Sequence, residues 1–86
     1  MERVIDGDTI IIQGGERVRY IGIDAPEMGE PWGEEAKIAN MRLVAGKRVR
    51  LERDISDRDR YNRLLRYVYI DGVLVEGELV RLGLAK

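Results

Sequence analysis

Two short stretches hold the residues that could do chemistry: "IDGDT" at residues 5–9 and "IGIDAPE" at 21–27. In the first, Asp6 and Gly7 suffice for a turn, a pair suited to positive φ, so Asp8 is surplus to it. In the second, an apolar run ends in Asp24, and Pro26 then holds another carboxylate, Glu27, three positions on. Each stretch alone has a plain structural reading, a solvated strand-end acid or a proline-fixed turn. Together they predict that Asp8, opening a second strand, and Asp24, closing a third, meet at one end of an antiparallel pair. Two carboxylates there, with Glu27 nearby, make an oxygen-rich pocket. Such a pocket suits Ca²⁺, which accepts about 6–8 oxygens in loose geometry.

The rest of the composition narrows the chemistry. There is no His and no Cys, so zinc and copper are poor fits and thiol nucleophiles are excluded. Acid–base work must come from carboxylate, Tyr, Lys or bound water. Arg19 shares a strand face with Ile21 and Ile23, an odd place for a guanidinium unless it is paired or reaches a rim. Arg63 follows "DRYN" at the start of a later apolar run. Two arginine forks beside a hard cation could clamp one phosphodiester and stabilise its extra transition-state charge. Equally, both could pair with the abundant carboxylates. Arg19 lies five positions from Asp24, roughly 16 Å along a straight strand, so the strand must coil strongly for both to reach one ligand. The run "DISDRDRYNR", residues 54–63, has acids at 54, 57 and 59. That is not EF-hand spacing, and the run reads as a charged loop. Its Arg60 and Tyr61 could contact a phosphate or simply face solvent.

Positioning these groups falls to a single small domain, residues 1–86, which buries only about 60% of its extended surface. Its 15 Lys and Arg against 16 Asp and Glu give no net basic charge, but local placement matters more than the sum for a nucleic-acid partner. No apolar run approaches the 18 residues or so of a membrane span, and no signal peptide is visible; the compartment stays undefined. Arg exceeds Lys by 12 to 3, a lean toward a thermostable source.

Val4-Ile5, Thr9–Ile12 and Arg17–Ile23 read as a three-stranded meander. Glu34–Ala45 reads as a helix with Ala36, Ala39 and Leu43 on one side, ended by Gly46. Lys47–Arg53 and Leu64–Ile70 give a fourth and a fifth strand. Asp71-Gly72 then turns into a last helix carrying Val75, Leu79 and Leu82, with Gly83 as its stop. The expected class is α+β, mainly β: a five-stranded Greek-key barrel of the OB type with about two helices.

In this order, "VIDGDT" at 4–9, "RYIGIDAPE" at 19–27, "WGEEA" at 32–36, "DRYNRLLRYVY" at 59–69 and "DGVLVEGELVRLGLAK" at 71–86 resemble the staphylococcal nuclease (thermonuclease) family. The resemblance implies a Ca²⁺-dependent endonuclease that hydrolyses single-stranded or loosened DNA or RNA to 3′-phosphate and 5′-hydroxyl ends. Carried over by position, Asp8 and Asp24 ligate Ca²⁺ with the backbone carbonyl of Ala25, and Glu27 orients or deprotonates the attacking water. Arg19 and Arg63 bind the scissile phosphate, and Arg60 and Tyr61 a flanking one. Asn62 stands where the family usually has Gly, and Asn tolerates positive φ. Family members continue past the position of Lys86 through a segment whose tyrosines help bind the nucleotide. The expectation is therefore a C-terminally short domain with weak nucleic-acid affinity, low activity, and self-association through the region around Val80, Leu82 and Leu84. The competing class is a non-catalytic OB module that binds nucleic acid or protein.

Overall fold

The computed structural model describes all residues, Met1–Lys86. The chain order is β1 (Arg3–Asp6), β2 (Thr9–Ile11), β3 (Arg17–Tyr20), α1 (Gly33–Val44), β4 (Arg50–Glu52), β5 (Leu64–Ile70), β6 (Val73–Leu74) and α2 (Val75–Arg81). The first three strands form the expected meander, with Val4 opposite Ile10 and Ile10 opposite Val18. Strand β5 then joins parallel to β3, and β4 lies antiparallel on its far side, giving the order β1-β2-β3-β5-β4. This is the mainly β, α+β fold of the OB type.

Two details differ from the five-stranded expectation. Asp71-Gly72 does not lead straight into a helix: it closes a hairpin, so that Val73 pairs with Ile70 in a sixth, two-residue strand. The ladder is also open, because no hydrogen bonds join β1 to β4. Strand β4 is three residues long and its outward residues Arg50 and Glu52 are exposed, which is how a short, charged edge resists pairing with other chains.

The core comprises Ile10, Val18, Tyr20, Val44, Val68, Val75 and Leu79, each almost wholly buried, with smaller neighbours around them. Helix α1 packs on β1, and its buried stripe is Ala36, Asn40 and Val44 rather than Ala36, Ala39 and Leu43, which are only partly covered on their latter two members. A polar Asn at the centre of a buried stripe is tolerable only when its amide is satisfied. Here Asn40 Oδ1 accepts from the Tyr20 hydroxyl at 2.6 Å, and its Nδ2 donates to the Asp6 carbonyl at 2.9 Å. The helix, β3 and the turn after β1 are thus joined through one side chain.

Gly7 in that turn is needed for close approach, not for a positive φ. A Cβ placed there would lie 2.7 Å from Ala36 Cβ and 2.8 Å from Ala25 Cβ, so no larger residue fits. In α2, Val75 and Leu79 are buried as expected, but Leu82 lies beyond the helix and is 47% exposed. Leu84 packs against the core instead, which leaves only Val80 and Leu82 of the expected association face open to solvent. No helix is long and apolar enough to cross a membrane.

One buried acid sits outside any ion pair. Glu76, 3% exposed, accepts the Val68 N–H at 2.9 Å through Oε1, while Oε2 has no partner. Burial pushes its carboxyl up to about 7, against the opposing pull of nearby backbone N–H groups. A raised acid binds a proton in the folded state that the unfolded chain has released. Its contribution is therefore full below pH 4.5, its ordinary value, and is lost as pH rises through 7. Glu76→Gln should remove most of that decline and stabilise the fold at pH 8 by about 3 kcal/mol, at roughly 1.4 kcal/mol per pK unit. Urea unfolding of both proteins at pH 5 and pH 8 checks this, and parallel curves would exclude it.

Candidate active site

The ladders decide where the charged side chains meet. Thr9 lies opposite Arg19 in the β2–β3 pair, so Asp8, one residue earlier, falls beside the end of β3. Its carbonyl accepts the Tyr20 N–H at 2.9 Å. The chain then needs no long coiled strand to bring Asp24 back. Strand β3 stops at Tyr20, three residues short of the expected end, and Ile21-Gly22 turns the backbone with Gly22 at φ 82°. Arg19 holds this turn from inside: its Nη1 donates to the Tyr20 carbonyl at 2.8 Å and to the Ile23 carbonyl at 3.0 Å. Its Nη2 lies 3.3 Å from Asp8 Oδ2 and 3.6 Å from Asp24 Oδ1. The two carboxylates are therefore gathered on one guanidinium nitrogen.

The two acids differ in surroundings. Asp8 is buried, and its Oδ2 also accepts the Ala25 N–H at 2.9 Å while Oδ1 accepts the Thr9 hydroxyl at 3.2 Å. Burial pushes its carboxyl up to about 6. The Ala25 N–H and the Arg19 charge work against that rise, and neighbouring Asp6 works with it. The Asp24 side chain, by contrast, is 84% exposed. Its backbone is fixed by two hydrogen bonds with Lys86, one in each direction at 3.2 and 3.0 Å.

Arg63 reaches the same place by a different route. In the parallel β3–β5 pair Leu65 lies beside Arg19, and Arg63, two residues before Leu65, falls on the same face. Both arginines line one cavity of about 400 Å³, together with Ile21, Ile23 and Asp59. Asp59 orients Arg63. Its Oδ2 accepts from Arg63 Nε at 2.7 Å, and its Oδ1 accepts the N–H groups of Tyr61 and Arg63, each at 2.9 Å. Burial opposes ionisation of Asp59, but these bonds prevail and hold its carboxyl below the ordinary value. Sequence reading passed over Asp59, although an acid four residues before an arginine in a turn-forming stretch is the available signal. Asn62 adopts φ 63°, as its replacement of a glycine anticipates. Arg60 and Tyr61 lie on the exposed side of this loop, with the Arg60 guanidinium 5.0 Å from the Tyr61 ring centre and its Nη2 2.9 Å from the Tyr61 hydroxyl.

Glu27 does not line the arginine cavity. It is exposed and lies with Asp24 and Ala25 in an adjoining cleft of about 570 Å³. No three Asp, Glu, His or Cys side chains converge closely enough to hold a metal ion; Glu27 shares its cleft with Asp24. Its place is fixed from behind by Gly33, where any Cβ would collide with the Glu27 carbonyl, and by donation of its N–H to Glu30 Oε1 at 2.7 Å. Sequence reading gave Gly33 no role.

An OB-type sheet with paired carboxylates and two arginines on one cavity defines the class. Residues 17–86 match the model of the family described as staphylococcal nuclease homologue. The chain belongs to this family. It is 44% identical over its whole length to "Endonuclease YncB" of Bacillus subtilis (strain 168), covering 46% of that protein. It is also 40% identical over its whole length to "Thermonuclease" of Staphylococcus intermedius, covering 56%. "Uncharacterized endonuclease" of Escherichia coli O157:H7 is 41% identical over 96% of this chain, which covers 56% of it. The chain thus spans about half the length of these curated relatives.

The electrostatics of Asp8 are directly measurable. Side-chain carboxyl NMR should place its titration near pH 6. Arg19→Gln, which removes the lowering charge, should move the midpoint upward. A downward shift or no shift would separate the Asp8 carboxyl from the Arg19 charge.

Proposed function

We propose that the domain is the catalytic unit of a Ca²⁺-dependent endonuclease that hydrolyses phosphodiesters of single-stranded or loosened DNA or RNA. The observation that carries this reading is the shared cavity of Arg19 and Arg63, with the Asp8–Asp24 pair at its edge. The family membership supports it, as do the names endonuclease and thermonuclease borne by relatives.

The donors beside Arg19 fit a hard cation in kind: two carboxylates and the Ala25 carbonyl, all oxygen. Both carboxylates already lie on one positively charged nitrogen, which marks where positive charge is needed. Asp8, Asp24 and the Ala25 carbonyl would hold the ion. When bound, Ca²⁺ supplies Lewis-acid polarisation of a phosphate oxygen and neutralises part of its charge. The remaining work falls to the protein. Glu27 accepts the proton of the attacking water, since no imidazole is present to do so. The water oxygen bonds to phosphorus as the bond to the 5′ oxygen breaks, which leaves 3′-phosphate and 5′-hydroxyl ends once the departing oxygen takes a proton. Arg63 donates to the non-bridging oxygens. Arg19, whose Nη1 holds the Tyr20 and Ile23 carbonyls, would donate through Nη2 once the two carboxylates turn to the ion. Both stabilise the added negative charge. Asp59, holding Nε of Arg63, leaves the outer guanidinium nitrogens to face the cavity. Arg60 and Tyr61 contact a flanking phosphate from the loop.

One observation favours a binding module instead. Arg19 already pairs with both carboxylates without an ion, which offsets one of their two charges and bridges them. Labelled single-stranded DNA and RNA, incubated with Ca²⁺ and then with a chelator, separate the two readings: cleavage lost on chelation supports the enzyme, and binding without cleavage supports the module.

Two expected outcomes test the assigned roles. Glu27→Gln should lower turnover by about 10²–10⁴-fold with little change in substrate affinity, and a variant as active as the parent would remove Glu27 from the mechanism. Asp59→Asn keeps the Oδ1 acceptor for the two backbone N–H groups but replaces the carboxylate oxygen that holds Arg63 Nε by an amide donor, a lost charged hydrogen bond that should lower kcat by about tenfold. In an Arg63→Ala background the same change should have no further effect on kcat, as a double-mutant cycle would record. Additive losses would show that Asp59 acts independently of Arg63.

A further inference from the structure

Trp32 is the only tryptophan of the chain, and it occupies a position that suits other residue types better. Its backbone is left-handed at φ 69°, a region in which bulky side chains are strained. It is the N-cap of α1 and makes no side-chain capping hydrogen bond, although Ser, Thr, Asp or Asn there would satisfy a free N–H. The residue is 65% exposed and is not among the apolar side chains packed on the core. Strain, a missing cap and an exposed indole together point to a ligand, since strained residues collect at functional sites.

The ring lines the cleft that also contains Asp24, Ala25 and Glu27, with Leu84 and Pro26 on its walls. We infer that Trp32 is a stacking platform for one nucleobase of a single-stranded nucleic acid, next to the phosphate held by Arg19 and Arg63. The inference rests on the nuclease reading and adds a base subsite to it. Charge selects the base over the backbone. Asp24, Glu27 and Glu30 border this cleft against one cation, Lys86, so its net charge is negative and disfavours a bare phosphate, whereas the cavity lined by Arg19 and Arg63 attracts one. A strand with its phosphates on the arginines therefore turns a neutral, flat base onto the indole. Proteins that bind single strands combine these two elements, a basic track and aromatic platforms. An acidic, aromatic cleft also suits a cationic side chain. Continuity with the Asp24–Glu27 segment favours the base.

Because Trp32 is the sole indole, its fluorescence reports the contact directly. In the Glu27→Gln background, which should bind without cleaving, the chain is titrated in Ca²⁺ with a short oligothymidylate and with an abasic deoxyribose-phosphate strand of equal length. The oligothymidylate should quench the fluorescence to saturation and the abasic strand should leave it unchanged. Trp32→Gly suits φ 69° and is tolerated at an N-cap, so it removes the ring without endangering the fold. Calorimetry should show its affinity for oligothymidylate reduced by about tenfold, the value of one stacked base, with affinity for the abasic strand unchanged. Trp32→Tyr should restore binding to within about threefold. Equal quenching by both strands, or undiminished affinity in Trp32→Gly, would overturn the inference. So would quenching by an oligolysine peptide but not by oligothymidylate, which would assign the cleft to a cationic partner. Cleavage that depends on Glu27, without base-dependent quenching, would sink the platform and leave the nuclease standing. Base-dependent quenching without any cleavage by the parent chain would do the reverse.

Discussion

The guanidinium of Arg19 is the contact on which the site depends. One side chain, about four-fifths buried, bonds the carbonyls of Tyr20 and Ile23 and faces the carboxylates of Asp8 and Asp24. It ends a strand, closes the turn after it and gathers two like charges that would otherwise repel. Asp8 is buried, and leaving such a carboxylate unpaired is strongly unfavourable. In the proposed nuclease reading, the same group that makes buried Asp8 tolerable faces the phosphate, while the carboxylate charge in excess of it draws the cation. Structure and chemistry share one group, so the two cannot be separated by changing it.

Behind that contact stands a frame of close approaches. Asn40 joins α1 to the Asp6 carbonyl and to Tyr20, whose hydroxyl is held well above the ordinary phenol range by burial, despite the hydrogen bond to Asn40. Gly7 lets the turn before Asp8 lie against Ala36 and Ala25, and Gly33 lets the helix start lie against Glu27. One helix therefore sets the position of both acidic segments. The parallel β3–β5 pair sets the other half, because it fixes Leu64 and Leu65 beside Val18 and Arg19, and Asp59 in the loop then orients Arg63 just before β5. A small domain achieves precision here by using rigid elements on both sides of the cavity.

Not every residue agrees with the fold. Trp32 sits in a left-handed conformation, and Glu76 buries an acid with one oxygen unsatisfied. Such local conflicts are expected where function or tuning overrides stability. They differ in kind: the first faces a cleft beside the candidate site, while the second faces the core and acts on stability through pH.

Much of this was legible in the sequence because it depends on neighbours along the chain. Strand alternation, the Asp-Gly turns, the proline after Asp24 and the ordered family motifs identified the meander, the helices and the acids and arginines worth examining. Where local signals misled, a tertiary contact was responsible. Asn40 lies outside the Ala36, Ala39 and Leu43 stripe that periodicity picks out, and its pairing with Tyr20 and Asp6 is what makes it tolerable in the core. Strand β3 reads through to Ile23, and only Arg19 bonding to Tyr20 and Ile23 explains the turn that stops it short. Whether an arginine in so acidic a chain pairs, faces a ligand or does both depends on distances across the sheet. Residue type and periodicity are properties of the chain itself, whereas partner choice among many like charges is made by packing: the ladders set Asp8, Arg19 and Arg63 side by side, and the Ile21-Gly22 turn returned Asp24 to Arg19.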